Sequence, residues 1–252
     1  MYRILFPATL ILIAGCLTAG AKDLKILTGA GMSMPVRQLA GDFAARTGAR
    51  VDVVSDTAGG VQKRMESGEK FDLVIATTTV MGNLAKSGKV TGAHSNLARM
   101  VAGIGARKGA PKPNIASAES VKTTLLAAKS VSYVDPASGG ITGVFFLSQA
   151  DKLGIGDAVR AKAVLAKNGT GVAAAVADGA AQYGVTLVSE MLPNPQVTVW
   201  PLPDALQMTT IYAAAVASDA QNAMDAGAML ADLRGPRGRD ANRKAGLQPV
   251  AQ

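Results

Sequence analysis

The 252-residue chain has one cysteine, Cys16, and one histidine, His94. Cys16 falls in an apolar N-terminal stretch that reads as a leader. If that stretch is removed behind it, no thiol remains for a disulfide, a nucleophile or a thiolate metal site. His94 sits in the polar run TGAHSN and reads as a surface side chain rather than a general base. Zinc chemistry lacks a ligand set. Aromatic residues make up only 4%, so the core is built from Ala, Val, Leu, Ile and Met, and base-stacking side chains are scarce. The glycine-rich stretch at 139–143 lacks the Gly-Lys-Ser/Thr of a P-loop, and no G-x-S-x-G elbow occurs. Beyond the leader no run of about 18 apolar residues could span a bilayer.

The charge balance lacks an acidic excess: the net charge is +8. Basic residues are scattered except in RGPRGRDANRK at 234–244, which reads as a solvated helix face. Export would remove the chain from nucleic acid, which leaves an anionic ligand or surface as the partner of this charge.

The leader reading rests on Arg3, the apolar run Ile4 to Leu17 and the small residues Ala19-Gly20-Ala21. Cleavage after Ala21 would release a periplasmic protein. IAGC, Ile13 to Cys16, resembles a lipobox that would acylate Cys16 instead, and an uncleaved anchor is a third possibility.

From residue 22 onward, short apolar runs alternate with amphipathic ones. LKILTGA (24–30), RVDVVSD (50–56) and FDLVIAT (71–77) read as strands, with helices at 34–48, closed by Gly48, and at 61–68. After LARMVAGIGARKG (97–109) the alternation restarts, with strands at 130–134, 162–166 and 183–188 between helices. A strand-like TTIYAAAVAS (209–218) and a helix capped by Gly235 end the chain. This is α/β order with mainly parallel sheets, and two successive α/β units fit it better than one sheet.

Parallel sheets bind ligands beyond the carboxyl ends of their strands. Four such loops carry glycines and hydroxyls where a helix starts: TGAGMS (28–33), DTAGG (56–60), DPASGGITG (135–143) and KNGTG (167–171). Helix starts offer unpaired N–H groups and partial positive charge, which hold anions without lysine. Taken singly, each loop is more often an ordinary turn or cap, and it is the four in corresponding positions that point to a ligand. Tyr183, Tyr212 and Trp200 read as packing, and Asp56, Asp72 and Asp135 as turn caps.

The leader, the two α/β units, the returning C-terminal strand and these loops together resemble the type II periplasmic solute-binding proteins, within them the molybdate-binding group. The segments that carry the likeness are LKILTGAGMSMPVRQLAGDFAARTG, GVQKRMESGEKFDLVIATT, VDPASGGITG, ADKLGI and YGVTLVSEMLPNPQVTVWPLPDALQ. The resemblance implies lobe one at 22–103 plus 212–252 and lobe two at 104–211, with crossing strands near Val101 to Ala106 and Thr209 to Ala214. It implies a monomer that serves an ABC permease, without a cofactor and without catalysis. A sensor or scaffold signalling to a membrane receptor is the alternative. Ligand-side residues on this reading are Gly31, Ser33, Thr57, Gly59, Gly60, Ser138, Gly139, Gly140, Thr142 and Thr170. The family's first-loop serine falls at Gly31 and its second-lobe tyrosine at Leu187, so a small carboxylate stands beside a tetrahedral oxyanion as the expected solute.

Overall fold

The computed structural model describes residues 23–91 and 93–250. The leader and Cys16 lie outside the described residues.

Lobe one opens with β1 (Asp23–Gly29), α1 (Ser33–Thr47), β2 (Arg50–Asp56), α2 (Ala58–Glu66), β3 (Leu73–Thr77), α3 (Thr78–Lys86) and β4 (Ser95–Arg99). Lobe two follows with β5 (Ala102–Arg107), α4 (Ala118–Ala127), β6 (Val131–Val134), α5 (Ile141–Lys152) and α6 (Gly156–Arg160). It continues with β7 (Ala163–Ala166), α7 (Gly169–Ala177), β8 (Tyr183–Leu187), α8 (Val188–Met191) and β9 (Val197–Pro201). The chain then returns to lobe one as β10 (Ile211–Val216), α9 (Ala223–Arg234), α10 (Pro236–Lys244) and β11 (Gln248–Pro249).

Side-chain spacing explains these elements. In α1, Val36, Leu39, Ala40 and Phe43 recur on one face and are buried, and Gly48 ends the helix in the left-handed region at φ 73°. In β3 every residue of LVIAT is buried, as in a strand covered on both sides. Around it, alternate side chains feed two cores. Leu24, Ile26, Leu73, Ile75 and Ala214 join the side occupied by Phe43 of α1 and Met229 of α9. Leu27, Val74, Ala76, Ala213 and Ala215 join the side occupied by Val61 and Met65 of α2 and Met81 and Leu84 of α3.

Sheet one has the order β11-β4-β10-β3-β1-β2 and sheet two the order β7-β6-β8-β5-β9. β1 is parallel to β2 and β3, and β6 is parallel to β7 and β8. β10 and β5 are antiparallel to both of their neighbours. Each sheet thus repeats one plan of three parallel strands, an inserted antiparallel strand and a further strand beyond it, to which sheet one adds β11 at its edge.

The segments expected to cross between lobes, Val101 to Ala106 and Thr209 to Ala214, fall largely within β5 and β10, with Val101, Thr209 and Thr210 ahead of those strands. The crossings themselves come just before, at residues 100–101 and 202–210. The Met100 N–H donates to the Thr210 carbonyl at 2.9 Å, which ties the two passages together. The Gln207 side chain accepts from Ala102 N–H (3.0 Å) and donates to the Ala102 and Leu202 carbonyls (3.0 and 2.7 Å). The basic 234–244 stretch supplies α10, where Gly238, Ala241 and Asn242 turn inward. Its charges pair locally, Arg237 with Asp232 and Lys244 with Asp240.

Candidate functional site

The parallel strands of both lobes point their carboxyl ends at one interlobe cleft, with about 390 Å³ of empty space including its open mouth. Gly29, Ala30, Thr57, Ala58, Thr77 and Tyr212 line it from lobe one, and Val134, Gly140, Ile141, Thr142, Asn168, Gly169, Leu187 and Glu190 from lobe two. None of these is Lys or Arg.

Helix starts take the place of basic side chains. Thr57, Thr77, Gly140 and Asn168 are the N-cap residues of α2, α3, α5 and α7, and all four line the cleft. Thr57, Thr77 and Asn168 spend their side chains on N–H groups deeper in their own helices, at Gly60, Val80 and Gly171. The N–H groups of the first turn have no intrahelical acceptor, and the aligned peptide dipoles make this end of each helix positive. Four such ends at one hollow give its wall partial positive charge and free N–H donors from backbone alone.

The residues singled out from sequence fall into three groups. Thr57, Gly140 and Thr142 line the hollow. Gly59, Ser138 and Gly139 meet at its rim: Thr57 Oγ1 donates to the Ser138 carbonyl at 3.3 Å, and Gly59 N–H donates to the Gly139 carbonyl at 3.2 Å. Gly139 can turn the chain there because its φ of 77° is open to glycine. The remaining four do not line the hollow themselves. Ser33 Oγ accepts from Arg37 Nε at 3.1 Å along α1, and Gly60 packs under the Asp56 carboxyl, which pairs with Arg64 at 2.8 Å. Thr170 Oγ1 lies 2.8 Å from Asn168 Oδ1. Gly31 is the floor under Tyr212 and Leu187, since a Cβ there would come within 2.4 Å of Tyr212 Oη and of Leu187 Cδ1.

Three lining features escaped the sequence reading. Thr77 adds a further helix start. Tyr212, 4% exposed, was expected only to pack; its ring does lie against Gly29, but it also borders the cleft, beside the Leu187 that stands where the resemblance puts a tyrosine. The third is Glu190 of α8, 7% exposed. Its Oε2 accepts from Thr186 Oγ1 at 2.6 Å, and Thr186 Oγ1 lies 3.3 Å from Thr142 Oγ1. Burial pushes the Glu190 carboxyl above the ordinary glutamate range, against the downward pull of the Thr186 hydroxyl and the Leu187 N–H. Burial, reinforced by the Glu190 charge, holds the Tyr212 phenol well above its usual value, so it stays protonated.

Two α/β lobes of matching strand order, closed over a cleft of helix starts, are the fold of the type II periplasmic binding proteins. Residues 24–248 match the family of bacterial extracellular solute-binding proteins, and the chain belongs to that family. It is 30% identical over 236 residues to an aconitate isomerase of Pseudomonas sp., an alignment covering 90% of this chain and 88% of the relative. Among solved structures it is similar to the periplasmic molybdate-binding protein of Azotobacter vinelandii, with a TM-score of 0.75 and 20% identity over 91% of this chain and 100% of the other. It is also similar to a sulfate-binding protein of Mycobacterium tuberculosis, with a TM-score of 0.70 and 17% identity over 91% and 87% of the two chains. Both structural likenesses concern the fold.

Proposed function

We propose that the protein is the exported, periplasmic solute-binding component of an ABC transporter and that it captures a small carboxylate anion between its lobes. One observation carries the reading: four helix N-termini converge on a cleft that holds no lysine or arginine. Such a site offers several donors in different directions, which suits a solute with more than one carboxylate. The lobes close as rigid bodies about residues 100–101 and 202–210, and the closed form is what a permease would engage. Titration calorimetry of the protein lacking residues 1–21 against citrate, aconitate, malonate, molybdate and sulfate tests this. Saturable 1:1 binding of a carboxylate is expected, and binding confined to molybdate or sulfate would overturn the carboxylate assignment.

A second reading is isomerisation of the bound solute. It is favoured by the relative named aconitate isomerase and by Glu190, a buried carboxyl in the cleft able to carry a proton. Proton NMR of trans-aconitate incubated with catalytic amounts of protein separates the two readings. Conversion beyond one equivalent establishes turnover, and a stable 1:1 complex establishes binding alone.

A further inference from the structure

A cleft that attracts anions is an unexpected place for a buried carboxyl group. Glu190 is held there firmly. Gly169, the first residue of α7, leaves the space its side chain fills: a Cβ on Gly169 would come within 1.9 Å of Glu190 Oε2. The Thr186 hydroxyl grips the same oxygen at 2.6 Å, and the Thr142 hydroxyl stands behind Thr186 at 3.3 Å. No ion pair among the described residues involves Glu190.

The surroundings hold little other charge. α8 packs on β5, β8, β9, α7 and the turn at 30–32. The ionisable residues those elements carry are Arg107 and Tyr183, near the ends of β5 and β8 opposite Leu187. The other titratable residue lining the cleft is Tyr212, which remains neutral. An anion enclosed here would face an ionised Glu190 with no cation between them, and two like charges in a closed, poorly hydrated space force one to take a proton.

We propose that Glu190 determines specificity by closing on the solute as a neutral carboxylic acid and donating a hydrogen bond to a solute carboxylate, so that capture takes up one proton and release returns it. The proton comes from solvent and adds to a Glu190 carboxylate oxygen; no other bond changes. On this proposal Glu190 ionises when the lobes part and water enters the cleft that it lines. A fully deprotonated carboxylate offers the acceptor that a neutral acid needs. A solute that must itself donate, such as hydrogenphosphate, would face a second hydrogen where it needs a lone pair. The inference rests on the carboxylate reading above.

Titration of citrate and of cis- and trans-aconitate into the wild-type protein, in buffers of different ionisation heat from pH 5 to 9, measures the proton count directly. Uptake should rise towards one proton per site as the free Glu190 ionises, with affinity then falling about tenfold per pH unit. In Glu190→Gln both the uptake and the slope should vanish. Carboxylate binding with no proton uptake at any pH, or uptake that persists in Glu190→Gln, overturns this inference and leaves the carboxylate reading standing. If none of the three binds while molybdate or hydrogenphosphate does, both fall together. Absence of uptake in the wild-type heats overturns the inference even if the variant does not fold.

Discussion

The backbone N–H of Gly59 on α2 donates to the carbonyl of Gly139 in lobe two across 3.2 Å, so the lobes are joined by main chain at the rim of the cleft. Gly59 approaches closely enough that a Cβ would stand 3.1 Å from Gly139 Cα. The closed form thus has interlobe contacts that involve no solute atom. A branched side chain at Gly59 should hold the rim apart. Gly59→Val is expected to weaken solute affinity about tenfold, equivalent to about 1.4 kcal/mol. Small-angle scattering should show no solute-induced compaction, while the melting temperature of the free protein stays near wild type.

Thr57 serves both sides of that rim. Its hydroxyl caps α2 through Gly60 N–H at 3.1 Å and reaches the Ser138 carbonyl at 3.3 Å. Thr57→Ala should cost about 1 kcal/mol through the lost cap, which lowers the melting temperature of the free protein by about 2–4 °C. Affinity should fall beyond what that local loosening explains, and Thr57→Ser should restore most of it. Thermal melts with and without solute check both effects.

Glu190 makes stability depend on pH in a stated direction. Its carboxyl is raised in the fold by burial, so the folded chain holds this proton more tightly than the unfolded one. That contribution is fully present below the ordinary glutamate range and is lost as pH rises through the raised value. Glu190→Gln keeps a neutral side chain throughout. Without solute it is expected to melt higher than wild type at pH 8 and to lose that advantage towards pH 4, as followed by circular dichroism.

Gly169 and Glu190 should behave as a coupled pair. A methyl at position 169 runs into the Glu190 side chain, within 1.9 Å of Oε2 and 2.7 Å of Cβ. Gly169→Ala should destabilise the fold by about 1–3 kcal/mol, and much of that should disappear in the Glu190→Ala background. A denaturant double-mutant cycle measures the coupling, and additive effects would show that the two do not press on one another.

The outline of this molecule was readable where spacing and punctuation act locally. The apolar faces of α1 and α9, the left-handed Gly48 and the apolar β2 and β3 all declare themselves over a few residues. The glycines and hydroxyls of the loops mark where α2, α5 and α7 begin, but apolar spacing alone starts these helices two or three residues late, at 61, 143 and 171 instead of 58, 141 and 169. Thr77 was missed because FDLVIATT runs from strand into helix without a glycine or proline to mark the change. Glu190 was missed for a different reason. Its helix is one turn, VSEM, following directly on the strand YGVTL, and taken alone it looks like a strand continuing to a surface acid. Its burial is a tertiary fact, set by Gly169 across α7 and by Thr186 behind it. Tyr212 likewise reads as core until the turn at Gly29 and Gly31 is brought beneath its ring.

The place of β4 in sheet one has a consequence for a polypeptide that emerges N-terminus first. Among the described residues β4 pairs only with β10 and β11, both encoded more than a hundred residues later. Its edges stay open while the whole of lobe two is being made, and the first lobe can be finished only when the final stretch arrives. Assembly of lobe one is thus tied to completion of the chain, because the strand that links β3 to β4 is supplied only after the whole of lobe two.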